Sequence, residues 1–317
     1  MTLQAARPLF AAVLLILFTG LPVRAKDHAA GPVPPQSPWR LAAKGFSFPE
    51  GPAWDGEHLY VSNCYGNWIA RITRGRVDTF LTASGAPFSF AKTNGLAVDG
   101  SGNLWACDFG AGAILRISPE GKSTVAAAGY RGKSFHRPND LAFAPNGDLY
   151  FTDPNRYDPK LPDGRIFRLR ADGSVHLMAD SLAFPNGIAF SPDGSSLYVC
   201  ESARHRVLRF PWRKDTLGDP EEFVELPGGD PDGINFDAEG NLYVAHFGGG
   251  AVYVISPEGN ILRKIPAPGK KPTNLEFGGP DLRTLFLTEV ETNAVYKLRV
   301  RIPGAALFHS PLRRKKN

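Results

Sequence analysis

The chain has 317 residues, 43% hydrophobic and 21% charged, with a formal net charge of +5. That length suits one large β domain or two ordinary ones. The charge sits at the ends: Arg7 and Arg24 near the N-terminus and Arg313-Arg314-Lys315-Lys316 near the C-terminus supply six positives and leave the body at −1, so no basic stripe remains for nucleic acid.

In chain order, residues 1–25 read as a secretory signal peptide: a basic start at Arg7, an apolar run from Leu9 and a Val23-Arg24-Ala25 ending. The run is about thirteen residues, short of the roughly 20 that span a bilayer. Cleavage after Ala25 predicts a periplasmic or secreted protein with no membrane attachment afterwards. Residues 26–37 are expected to be a flexible lead-in, and residues 309–317 a solvated basic tail. Cys64, Cys107 and Cys200 form an odd set with no CxxC spacing, which predicts small buried thiols and no disulfide.

From residue 38 the chain repeats itself. "PEGPAWDGEHLYVSN", "TNGLAVDGSGNLWACD", "PNDLAFAPNGDLYFTD", "PNGIAFSPDGSSLYVCE", "PDGINFDAEGNLYVAH" and "TNLEFGGPDLRTLFLTE" align on Glu50, Asn94, Asn139, Asn186, Asp232 and Asn274, spaced by 44, 45, 47, 46 and 42 residues. Each copy runs on into a third and a fourth alternating apolar stretch, broken by Gly, Pro, Asn and Asp turns. Four short strands per unit of about 45 residues predict an all-β protein, a six-bladed β-propeller over residues 38–308. The sixth copy lacks an obvious fourth strand, while "WRLAAKG", residues 39–45, is an orphan run ahead of the first. An open ring would leave bare sheet edges, so the orphan run is expected to complete the last blade beside Ala294–Val300.

Within each copy, Asp55-Gly56, Asn146-Gly147, Asp193-Gly194 and Glu239-Gly240 lie between the first two strands and read as hairpin turns. The aligned Glu, Asn and Asp residues precede the innermost strands, so all six converge on one mouth of the central channel. The ends of the second strands, Asn63, Asp108, Asp153, Glu201, His246 and Glu289, return there as an outer ring. An inner ring of two carboxylates among carboxamides offers hard oxygen ligands and no sulfur, which suits Ca²⁺ or Mg²⁺ among divalent cations, and Ca²⁺ better for its flexible geometry.

"FPEGPAW", "RPNDLAFAPNGDLYFTDP", "PNGIAFSPDG" and "PDGINFDAEGNLYVAH" resemble the senescence marker protein/gluconolactonase/luciferin-regenerating enzyme family, over residues 45 to 300. "PTNLEFGGPDLRTLFLTE" resembles the bacterial gluconolactonases. The resemblance implies a Ca²⁺-dependent lactone hydrolase. It places metal ligands at Glu50, Asn139, Asn186 and Asp232, a general base at Asp232, and substrate contacts at Arg137 and Asn139. Asn94 and Asn274 receive no role from it. His246, in the outer ring, is an alternative base. The expected partner is a small lactone, with glucono-1,5-lactone the leading example, and the protein is expected to be monomeric. The rival readings are a non-catalytic propeller that binds a cation for structure and a phosphotriesterase-type hydrolase on the same site.

Overall fold

The computed structural model describes residues 31–34, 37–85, 90–213, 215–306 and 308; the signal peptide and the basic tail read from the sequence lie outside them. Six antiparallel sheets form the ring. Their innermost strands are Pro49–Trp54, Thr93–Val98, Leu141–Phe143, Pro185–Phe190, Asp230–Phe236 and Pro272–Gly278. Each is followed in chain order by a second and a third strand and, in the first five blades, by the outer strand. The fourth sheet carries one extra short strand, Thr216–Leu217.

The ring closes as expected. Arg40–Lys44 pairs antiparallel with Ala294–Arg299, Arg40 opposite Lys297 and Lys44 opposite Ala294, and becomes the outer strand of the sixth blade. Ala43 is buried in one cluster with Val61, Ala70 and Val295, so this strand joins the last blade to the first. The compact body begins at Gly31, not at residue 38. Val33, within the segment expected to be flexible, is 1% exposed and packs among Val252, Leu287 and Val300. The Arg301 amide donates to the Pro32 carbonyl at 2.9 Å.

Alternation along the strands places the core between blades. Tyr198 and Val207 of the fourth blade meet Phe236, Leu242 and Val244 of the fifth; Ala106 and Leu115 of the second meet Tyr60 and Ile69 of the first. The core is therefore annular, which leaves the axis free for polar groups. All three cysteines are free and buried.

Candidate active site

Five of the six innermost strands carry a register shift just after their start: between Glu50 and Ala53, Thr93 and Leu96, Pro185 and Ile188, Pro231 and Ile234, and Pro272 and Leu275. Three residues on the inner strand oppose two on its partner in each case, a β-bulge. Bulges re-aim side chains, and these sit on the aligned Glu, Asn and Asp residues. In four blades a glycine follows, because the neighbouring blade leaves no room. A Cβ on Gly51 would lie 2.1 Å from the Asn94 carbonyl oxygen, and one on Gly187 would lie 2.2 Å from that of Asp232.

The carbonyls beside these side chains are held from adjacent blades. Ser62 Oγ donates to Asn94 O at 2.7 Å, Thr152 Oγ1 to Asn186 O at 2.8 Å, Ser202 Oγ to Pro231 O at 2.7 Å and Thr273 Oγ1 to Pro49 O at 3.0 Å. The Gly95 amide donates to Asn139 O at 2.7 Å. Backbone fixed on both sides is what preorganises a ligand set.

Glu50, Asn94, Asn139, Asn186 and Asp232 line one cavity of about 230 Å³. Asn274 does not join them. It lies one layer down the channel, where its Nδ2 donates to Asp140 Oδ2 at 3.3 Å and its Oδ1 accepts from the Leu275 amide. The inner ring thus presents five members at the mouth, not six. Asn94, given no role by the resemblance, is at the mouth, and its Oδ1 is buried with no hydrogen-bond partner. Its place in the repeat was the signal for it.

Burial pushes the Glu50 carboxyl up to about 8, against a hydrogen bond from the Gly51 amide and with help from the Asp140 charge. Asp232 is held well above the carboxylate range by burial, then by the charges of Glu50, Asp140 and Asp230. Two acids forced together in a dry site, beside an unpartnered carboxamide oxygen, fit a hard dication that would neutralise both. All five donors are oxygens.

His246 is not brought to this cavity. It is 1% exposed, its Nε2 lies 2.9 Å from the Leu226 carbonyl and its Nδ1 has no partner. The ring is walled in by Gly229 and Gly249 and stands edge-on to Tyr253. Burial lowers its pKa. Geometry gives it no path to a substrate.

The other outer-ring residues are also turned to structure. Asn63 accepts from the Ser47 amide, Asp108 from Ala91, Asp153 from Arg137, Glu201 from Ala183 and Glu289 from Lys271. In every case the donor lies on the loop that leads into the innermost strand of the same blade. The outer ring clamps the loops that deliver the inner one. Arg137 is positioned this way, with its guanidinium 5.8 Å over the ring of Phe109, a cavity-lining residue.

The remaining wall is mostly aromatic, Phe48, Tyr65, Phe109, Tyr157, Phe184 and Phe247, and is completed by Cys64, Ser202 and Asp230. Sequence reading passed over these. Phe48, Phe184 and Asp230 each stand two residues before an inner-ring member, a regularity that would have flagged them. Tyr157 Oη donates to Asp230 Oδ1 at 2.7 Å, and His205 Nδ1 lies 3.2 Å from the same oxygen.

The fold and site together define a six-bladed propeller with a buried all-oxygen donor set at one end of its channel. Residues 123–291 match the family model described as the SMP-30/Gluconolactonase/LRE-like region. A gluconolactonase of Zymomonas mobilis is 33% identical over 299 residues, 84% of this chain and 83% of that protein. The solved gluconolactonase of Xanthomonas campestris superposes with a TM-score of 0.76 at 32% identity, covering 87% of this chain and 93% of that one. A diisopropyl-fluorophosphatase of Loligo vulgaris is 30% identical over 222 residues, 63% of this chain and 69% of that protein. The chain belongs to the SMP-30/gluconolactonase/LRE-like family.

Proposed function

We propose that the protein is a Ca²⁺-dependent lactonase that opens a sugar lactone such as glucono-1,5-lactone. The observation that carries this reading is the convergence of Glu50, Asn94, Asn139, Asn186 and Asp232 on one cavity, in a chain so similar to gluconolactonases. Glu50, Asn139, Asn186 and Asp232 would hold the cation, with Asn94 as a fifth oxygen. Bound there, the cation supplies Lewis-acid polarisation of the lactone carbonyl. Asp232 takes the proton from the attacking water, the one buried acid at the mouth that the resemblance casts as a base. The water oxygen bonds to the carbonyl carbon, the ring C–O bond breaks, and the freed alkoxide oxygen takes up a proton. Arg137 orients hydroxyls of the substrate from the rim. The aromatic wall packs the C–H face of the sugar and excludes bulk water. We also propose that the chain is exported through its N-terminal 25 residues and acts as a monomer; N-terminal sequencing and light scattering of the secreted protein test both.

A second reading, hydrolysis of an apolar phosphotriester on the same site, draws on the aromatic wall and on the Loligo vulgaris relative. One experiment separates the two: proton release from a panel of lactones and one fluorophosphate triester, with Ca²⁺ and with chelator, corrected for spontaneous opening. Ca²⁺-dependent turnover of a sugar lactone is the expected result. Turnover of the triester alone would transfer the site to the second reading, and turnover of neither would remove both.

A further inference from the structure

Three cations stand against the aromatic wall of the cavity from outside its lining. Lys92 Nζ stands 5.4 Å from the ring centre of Tyr65, the Arg137 guanidinium 5.8 Å from that of Phe109, and Lys271 Nζ 5.8 Å from that of Phe247. All three rings line the cavity. The cations come from three blades and repeat one arrangement. Each sits on the loop entering an innermost strand and lies on an aromatic residue from the blade before. Lys92 and Arg137 both stand two residues ahead of an inner-ring member, Asn94 and Asn139. Stacking on a ring fixes a cation's position without neutralising it.

None of the three takes part in an ion pair among the described residues, although each is exposed. Nearby charges behave otherwise. Arg204 pairs with Glu201, Arg156 with Asp163, and Asp230 is held by Tyr157 and His205. Once Glu50 and Asp232 balance a dication, the rim keeps three cations outside these ion pairs, with the Asp230 carboxylate of the wall taken up by Tyr157 and His205. A neutral lactone offers these cations only hydroxyls and leaves their charge unused, and they would repel the cation that the floor attracts.

We propose that the cavity selects lactones that carry a second, anionic group (a sulfonate, phosphate or carboxylate) away from the reacting carbonyl, held by Lys92, Arg137 and Lys271. This rests on the lactonase reading and narrows it to anionic substrates. The rim draws such a substrate in and orients it carbonyl-first toward the floor.

The test compares kcat/KM for glucono-1,5-lactone with its phosphorylated and sulfonated counterparts and with an aldaric acid monolactone, for the parent chain and for K92Q and K271Q. The parent should favour at least one anionic lactone about tenfold or more, and the preferred arm identifies the group. Each substitution should lower kcat/KM for that lactone about twofold to fivefold, through KM, the size of one exposed ion pair. The neutral lactone should change less than about twofold, and added salt should depress only the anionic rate. Calorimetry of the open-chain products should show the dianion binding more tightly than the monoanion. Equal kcat/KM for neutral and anionic lactones in the parent overturns the proposal, as do substitutions that slow both alike. Absence of turnover on every lactone would sink the lactonase reading instead; the calorimetric preference then decides the anion subsite by itself.

Discussion

Gly187 and Gly194 end look-alike tripeptides and have different duties. Gly194 has φ 72° and closes a hairpin, its amide donating to Ser191 O at 2.8 Å. Gly187 is not in the left-handed region; it is bare because Asp232 O would lie 2.2 Å from its Cβ. Their roles were separable in the sequence because one slot precedes the innermost strand in all six copies and the other lies between the first two strands; the reason for the glycine was not, since it depends on the neighbouring blade. Gly187→Ala should therefore shift the Asp232 strand and weaken Ca²⁺ binding as well as lower Tm. Gly240→Ala, at φ 85° in a turn with Pro257 3.4 Å away, should cost about 1–2 kcal/mol of stability and leave Ca²⁺ affinity unchanged. Calorimetric titration beside thermal melts distinguishes them. Glu50→Gln and Asp232→Asn should both weaken Ca²⁺ binding. Excess Ca²⁺ should restore turnover to Glu50→Gln and leave Asp232→Asn deficient by about 10²- to 10⁴-fold, the worth of a general base. Equal rescue in the Ca²⁺ titration would leave Asp232 a ligand only.

At the scale of strands, the orphan run ahead of the first repeat was legible because one blade was a strand short and a bare edge is costly. Deleting residues 26–45 should remove Ala43 from its cluster and expose the edge at Ala294–Arg299. The expected outcome is loss of the cooperative melt of the whole domain, with aggregation, read by circular dichroism and light scattering. An unchanged Tm would mean that the ring holds without its closing strand. The bulges were not legible: periodicity places residues on faces, and a bulge is a property of register with a partner. The outer ring was legible as a ring at the right pole, and its use was not: backbone amides one loop away consume its side-chain oxygens. His246 fits the same slot and differs in donating from Nε2 to the Leu226 carbonyl instead. Asp108→Ala should free the amides of Ala91 and Ala111 and cost about 1–3 kcal/mol, the penalty of a buried group left unpaired, in chemical unfolding.

For the whole molecule, the sixfold pattern and the pole of the site were legible, while the drop of Asn274 into the channel was not. Its partner there, Asp140, stands where four other blades carry glycine. The channel beneath the mouth holds a largely apolar cavity of about 70 Å³ whose polar lining residues are Asp140, Asn235, Asn274 and Glu276. Burial pushes Glu276 up to about 8, opposed by hydrogen bonds from the Phe277 amide and Asn235 Nδ2. A carboxyl that binds its proton more tightly folded than unfolded stabilises fully below its unfolded pKa, near 4.5, and loses that contribution as pH rises through about 8. Glu276→Gln keeps the neutral shape. It should raise Tm at pH 8 relative to the parent, change it little at pH 4.5, and flatten the pH profile of Tm between them. A parallel shift at all pH values would show that the carboxyl is already ionised in the fold. The hydroxyl ties between blades carry a different lesson. Because the backbone beside each mouth residue is braced by an adjacent blade, no repeat owns its contribution to the site. A single blade, copied or excised, would take its Asn or Asp away without the brace that aims it. Substitution at one mouth position is then felt in the adjacent blade, so the six copies are bound to diverge as a set, and the pocket is inherited by the circle and not by its parts.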